Sequence, residues 1–417
     1  MPGGGYDRLD CTPTDKDAVF RLVNQTQDYA WGSPVAIPEM LGSAPPGRPV
    51  AELWMGAHPL APSRVATPDE PDGVALDALV RADPDAMLGA DVVARFGRCL
   101  PYLLKLVAVA HPLSLQVHPD VERAREGFAA ENAAGIALTD PRRNYKDANH
   151  KPELVYALTR FEALSGFRAP RRAAELLAGL DAPLTATLHG VLAAEPSVRG
   201  IRTAFRRLLE PELRPTAPEV DAVAEACRRR LASGSPSPRA DRTVVQLAEA
   251  YPGDPGAVTS LLLNPVTLEP GEAMFIPAGG VHAYLQGLAV EVMANSDNVL
   301  RAGLTTKHVD VPELLVNVDY VAAPPIRVAP EVFHGAAKVF YAPVDDFELS
   351  VAEVAGGAMH PLPGRGPRIV LCVAGEVVVR SEDDETHLVR GQSVFVPAAE
   401  GLLHVAGDGT VVQADVP

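Results

Sequence analysis

The chain is poor in cysteine. Its 417 residues carry four, Cys11, Cys99, Cys227 and Cys372, far apart and with no Cys-x-x-Cys pair. Such sparse spacing is that of free thiols in a reducing cytosol. The chain is also short of positive charge. Thirty-seven Lys and Arg against 53 Asp and Glu leave a formal net charge of −16. Nucleic-acid binding draws most of its affinity from neutralising phosphates, so this balance argues against it. It equally disfavours an anionic membrane surface, although a local basic patch could still hold one small phosphorylated ligand. No apolar run is long enough to span a bilayer, because the longest carries Lys105 and His111. The first twenty residues contain no apolar core of the signal-peptide kind. The expectation is a cytoplasmic protein with no nucleic-acid and no membrane partner.

What is present is β texture interrupted by helices. A chain of this length exceeds one ordinary core, so two or three domains are expected. Residues 18–165 read mainly as short strands and turns, apart from a helical stretch within 62–98. From about residue 168 the apolar spacing becomes helical. Ala173, Leu176, Leu177 and Leu180 follow i, i+3, i+4, i+7; so do Ile201, Ala204, Phe205 and Leu208, and then Val220, Val223, Ala224 and Cys227. "SGSPSP" (233–238) signals a flexible loop, and "RTVVQLAEAY" one further helix. After about 258 the β texture returns, with "RIVLCVAGEVVVRSED" reading as a hairpin that turns at Ala374-Gly375. The expected fold is mainly β with a helical insert. It comprises two β-barrel or jelly-roll domains and an α-helical subdomain. The boundaries are 1–167 with 256–325, 168–255, and 326–417.

"SLQVHPD" (114–120) poses the chemical question. It follows an apolar run and is strand-like, so Ser114, Gln116 and His118 share one face and Leu115 and Val117 the other. Three polar groups on one face of an apolar strand need partners. An internal repeat adds to this. "GEAMFIPAGGVHAYLQG" (271–287) and "GQSVFVPAAEGLLHVAG" (391–407) share a Gly, a short strand, Pro-Ala, a turn and then His. The first copy resembles the second sequence motif of the cupins, small β-barrels that hold a metal. Their first motif supplies ligands at i and i+2, and Gln116-Val117-His118 occupies that place. By this resemblance Gln116 and His118 face a metal. In "DANHKPELVYAL", Lys151 and Glu153 share a face of an extended segment, and Glu153 completes a Gln–His–Glu–His set with His282. Mixed N/O ligation suits Zn²⁺, while Fe, Mn or Co also fit. The C-terminal copy keeps Gly391, Pro397 and His404 without the other ligands, so it is expected to be structural.

Several segments in order carry a closer resemblance: "YAWGSP" (29–34), "AELWMGAHP" (51–59), "SLQVHPD", "NYKDANHKPEL" (144–154) and "SDNVLRAGLTTKHVD" (296–310). The chain resembles the type I phosphomannose isomerases over most of its length. Thr306 departs from the family's usual Pro. The resemblance implies one Zn²⁺ per chain on Gln116, His118, Glu153 and His282. It also implies interconversion of mannose 6-phosphate and fructose 6-phosphate, so the partner is a small sugar phosphate; a monomer is favoured. An aldose–ketose isomerase opens the sugar ring, moves a proton between C1 and C2, and stabilises an enediolate. Arg301 is the candidate for the anionic intermediate. Asp297 and Lys151 are candidates for acid/base or ring-opening work. Ser114 and Lys105 are candidates for phosphate or sugar, and Tyr284 is a candidate substrate donor because it shares the His282 face. Glu52 and Trp31 come from the early motifs. Two other readings remain. A non-catalytic metal cupin that senses a sugar phosphate would have no need of Lys151, Asp297 and Arg301. An Fe(II) dioxygenase cupin favours two His and one carboxylate, which Gln116 disfavours. A fused nucleotidyltransferase is disfavoured because no Gly-rich phosphate loop opens the chain.

Overall fold

The structure, a computed structural model, describes residues 19–65, 73–382 and 384–417. Cys11 and the amino-terminal stretch examined for a signal peptide lie outside these residues. The three described cysteines are free: Cys99 is exposed, Cys227 and Cys372 are buried. No described helix is long and apolar enough to cross a membrane.

Among the described residues, two antiparallel sheets of eleven strands each form the frame. Their ladders stay open in a jelly-roll manner; neither closes into a ring of pairing, as a strict barrel would. The strand Tyr102–Val109 shows how they meet. Its alternation sends Tyr102, Leu104, Leu106 and Ala108 outward into a core shared with Leu349, Ile369, Leu371, Phe395 and Val412 of the second sheet. Its other face carries Lys105, Val107 and Val109 inward. One strand thus glues the two sheets together and lines the interior of the first.

The helical insert forms as the apolar spacing requires. Helices Pro170–Leu177, Val198–Leu209, Ala217–Ala232 and Pro238–Ala250 bury the expected stripes in one cluster. Leu115 and Val117 insert into that same cluster, so the non-polar face of "SLQVHPD" seats the insert against the sheet. Among the helices not read from sequence are Pro183–Ala194 and Val121–Ala133. The second begins where Asp120, just past Pro119, accepts the Arg123 N–H at 2.7 Å.

Three expectations need correction. The expected boundaries cut across strand pairing. Phe20–Val23 pairs with Ser393–Val396 of the C-terminal sheet, and Ile326–Val328 pairs with Ala273–Ile276 of the first. "RIVLCVAGEVVVR" is not a hairpin but one strand, Arg368–Arg380, with a bulge between Cys372 and Ala374. Gly375, at φ +69°, follows that bulge in register with Gly409, where a Cβ would meet the Asp408 carbonyl. The repeat also sits in a different register. Gly271 and Gly391 have φ of +91° and +90°, and Gly287 and Gly407 both have +120°. In that register Leu402 stands at the place of His282, and His404 at the place of Tyr284.

Candidate metal centre

His118, Glu153 and His282 come together although they sit on three separate segments. One ligand atom from each lies within 4.8 Å of the others, and all three residues are buried. His118 Nε2 is 3.2 Å from Glu153 Oε1, and His282 Nε2 is 3.4 Å from Glu153 Oε2. The ladder explains the meeting. His282 opens the strand His282–Ala294 and pairs directly with Gln116, which in turn pairs with Arg301. Glu153 opens Glu153–Ala157, which lies between Ala273–Ile276 and the His282 strand. The turn before His282 needs Gly279, at φ +77°, and its N–H donates to the His118 carbonyl at 2.8 Å.

Both imidazoles are held in one tautomer. His118 Nδ1 lies 2.7 Å from the Asn298 carbonyl, and His282 Nδ1 lies 3.0 Å from the Gly280 carbonyl. Each Nδ1–H therefore donates to backbone, leaving both Nε2 lone pairs aimed at the carboxylate. Burial lowers the His118 pKa to about 4, so the ring is neutral at physiological pH. Burial pulls the Glu153 pKa upward, yet His118 and then Lys151, at 3.5 Å, outweigh it and hold the carboxyl well below the usual carboxylate range. The His118 Nε2 is a buried acceptor without a hydrogen-bond donor. Acceptors converging in a dry place call for a cation. Two imidazole nitrogens and a carboxylate, with an amide beside them, are a zinc donor set.

Next to this group opens a cavity of about 630 Å³. Of the residues expected at the site, Trp31, Glu52, Lys105, Ser114, Gln116, Lys151, Asp297 and Arg301 line it. His118, Glu153 and His282 lie behind Lys151 and Gln116 rather than in its wall. Tyr284 is also behind the wall, contrary to its expected contact with substrate. Its hydroxyl is 3.1 Å from Glu153 Oε2 and 2.6 Å from Glu291 Oε1, and burial with these carboxylates pushes its pKa far above the usual value. Lys105 does not snorkel to the surface. It is buried 3.3 Å from Glu291 and 3.9 Å from Glu52, over the Trp54 ring. Burial alone would lower its pKa, but the carboxylates outweigh it and keep the ammonium charged.

Sequence reasoning did not single out Tyr29, Lys146 and Lys307, which also line the cavity. It also missed His58, whose Nε2 is 3.7 Å from Asp297 Oδ1, and Glu291. Glu291 could have been found, since it breaks an apolar strand directly opposite Lys105. The others lie within the quoted motifs, Tyr29 in "YAWGSP", His58 in "AELWMGAHP", Lys146 in "NYKDANHKPEL" and Lys307 in "SDNVLRAGLTTKHVD", but on loops where no periodicity marks them.

Comparison with known proteins agrees with this geometry. Residues 19–170 match the family described as phosphomannose isomerase type I, catalytic domain. Residues 336–416 match that described as mannose-6-phosphate isomerase, cupin domain. A mannose-6-phosphate isomerase of Salmonella typhimurium is 42% identical over 396 residues, covering 94% of this chain and 98% of that one. The Homo sapiens mannose-6-phosphate isomerase is 32% identical over 416 residues, covering 92% and 94%. A zinc-bound crystal structure of mannose 6-phosphate isomerase superimposes with a TM-score of 0.86 at 41% identity, over 96% of this chain and 99% of that one.

Proposed function

This chain belongs to the type I phosphomannose isomerases, and we infer that it is a zinc-dependent isomerase interconverting mannose 6-phosphate and fructose 6-phosphate. The observation that carries the reading is the pair of imidazole nitrogens facing one carboxylate, set directly behind a cavity lined by Lys151, Asp297 and Arg301. A cavity of about 630 Å³ suits a hexose phosphate. Its lysines and Arg301 give an acidic chain a local basic surface for an anionic substrate.

His118, Glu153, His282 and Gln116 would hold one zinc ion per chain. When bound, zinc supplies a cation that polarises a sugar oxygen or a water in a low-dielectric site. The remaining work belongs to the chain. Arg301, beside Gln116 in the ladder, places fixed positive charge where the enediolate oxygens develop. Lys151 and Asp297 open the ring and carry the proton between C1 and C2. Ser114 and Lys105 bind the sugar or its phosphate. Glu52 accepts from Trp54 Nε1 at 2.6 Å, which holds the wall around Lys105. Trp31 offers an apolar edge to the sugar. Tyr284 contributes by fixing Glu153. A merely sensing cupin is less favoured, because it would have no use for acid/base groups so close to the metal ligands.

The same reading takes the helices between 168 and 255 as one subdomain and the C-terminal sheet as a structural unit. It takes the protein as a cytoplasmic monomer. The experiment follows fructose 6-phosphate formed from mannose 6-phosphate before chelation, after it, and after zinc is restored. Activity lost with the chelator and regained with zinc is expected. Fully metallated protein that turns over no mannose 6-phosphate would overturn the reading.

A further inference from the structure

The metal ligand His118 and the candidate acid/base groups sit on different segments, yet one buried knot joins them. Asn298 is fully buried. Its carbonyl accepts the His118 Nδ1–H at 2.7 Å. Its side-chain amide donates to Asp147 O at 2.9 Å, Asp147 Oδ1 at 3.1 Å and Asn149 O at 2.8 Å. Its Oδ1 accepts the Lys146 N–H at 2.7 Å and the Asp147 N–H at 3.3 Å. Asp147 completes the knot. Its carboxylate accepts the Ser296 hydroxyl and the Asp297 N–H, both at 2.8 Å, and the Asn149 N–H at 2.9 Å.

We propose that Asn298 and Asp147 are positioning residues that set the zinc ligand His118 and the cavity-lining Asp297 and Lys151 as one unit. The argument is geometric and rests on the zinc-isomerase reading above. Asn298 cannot rotate, since every polar group on it is used; its carbonyl direction is therefore fixed, and with it the His118 tautomer and ring plane. The same side chain gathers the turn 146–149, whose continuation carries Lys151 and Glu153. Asp147 holds the Asp297 backbone, so displacing either residue of the pair moves both walls of the site. Neither Asn298 nor Asp147 lines the cavity, which separates this role from substrate contact.

The test is Asn298→Asp in the full chain. The change keeps the acceptors for Lys146 and Asp147 but removes the amide donor and sets two carboxylates together. Zinc affinity, measured by competition with a chromogenic chelator, should fall roughly 10- to 100-fold. At saturating zinc, kcat should stay depressed, with KM changing less. If Asn298→Asp does not fold, Ser296→Ala removes a hydroxyl that donates to Asp147 Oδ1 at 2.8 Å and Asn149 O at 3.3 Å and accepts the Asn298 N–H at 3.2 Å, and it should weaken both readouts by less. Zinc affinity within about twofold of the parent in the folded variant would overturn the proposal. So would full recovery of kcat with excess zinc, since the knot would then serve the metal alone. The zinc measurement uses no sugar, so a parent enzyme inactive on mannose 6-phosphate would sink the functional reading and leave this one standing.

Discussion

The first sheet and the C-terminal sheet are the same device with opposite interiors. Lys105 pairs across the ladder with Glu291 in the first. Following the repeat register, Ala352 pairs with Val411 in the second. Glu153 stands opposite Ile276, whereas Arg368 stands opposite the corresponding Val396. Where the first interior holds charges and a cavity, the second is filled by Ala352, Val370, Cys372, Val394, Val396 and Val411. The frame therefore does not need the polar interior. Charges in such a place oppose folding unless paired, and Lys105 is paired, 3.3 Å from Glu291 and 3.9 Å from Glu52. The glycines at the two turns are retained in both, because the backbone path requires them.

The largest expected effect comes from erasing what distinguishes the first interior. Arg301→Ala should lower kcat by roughly 10²–10³-fold while zinc content stays at one per chain; steady-state kinetics with metal analysis check both halves. Retained turnover would remove Arg301 from the enediolate role. The next effect is on stability. Lys105→Met leaves Glu52 and Glu291 without their cation and should cost about 3–5 kcal/mol by urea unfolding. Adding Glu291→Leu makes the pair apolar, as Ala352 and Val411 are. Most of that stability should return while activity does not. A double variant no more stable than the single would break the comparison.

The smallest effect belongs to the other sheet. Burial, only partly offset by the Val416 N–H and by Arg368, raises the Asp415 pKa to about 7. A carboxyl raised in the folded state keeps its proton better folded than unfolded. Its contribution is thus best at low pH and is lost as pH climbs from about 4 to 7. Asp415→Asn should flatten that slope, gaining up to about 4 kcal/mol at neutral pH. An unchanged slope in the stability–pH profile would contradict it.

Much of this was legible in the sequence because it was written as periodicity or as short motifs. Leu115 and Val117 against Gln116 and His118 follow from strand alternation alone, and the helical stripes of the insert follow from 3.6-residue spacing. The failures share a cause. Gly375 looked like a turn because a bulge and a hairpin use the same residue. His404 looked like the partner of His282 because a motif match tolerates a two-residue slip that a strand does not. Asn298, His58 and Tyr29 lie in the quoted motifs but follow no periodicity, since their importance lies in which loops they meet. The ligand set itself came from resemblance, and strand pairing gives it a physical reason.

The strand exchange between the sheets has a consequence in time. Phe20–Val23 is made about 370 residues before its ladder partner, Ser393–Val396. At about 5–20 residues per second, that edge stays unpaired on the order of tens of seconds. The nascent chain therefore carries an open strand edge until that partner emerges. The C-terminal sheet, inert as it looks beside the cavity, is what finally closes it.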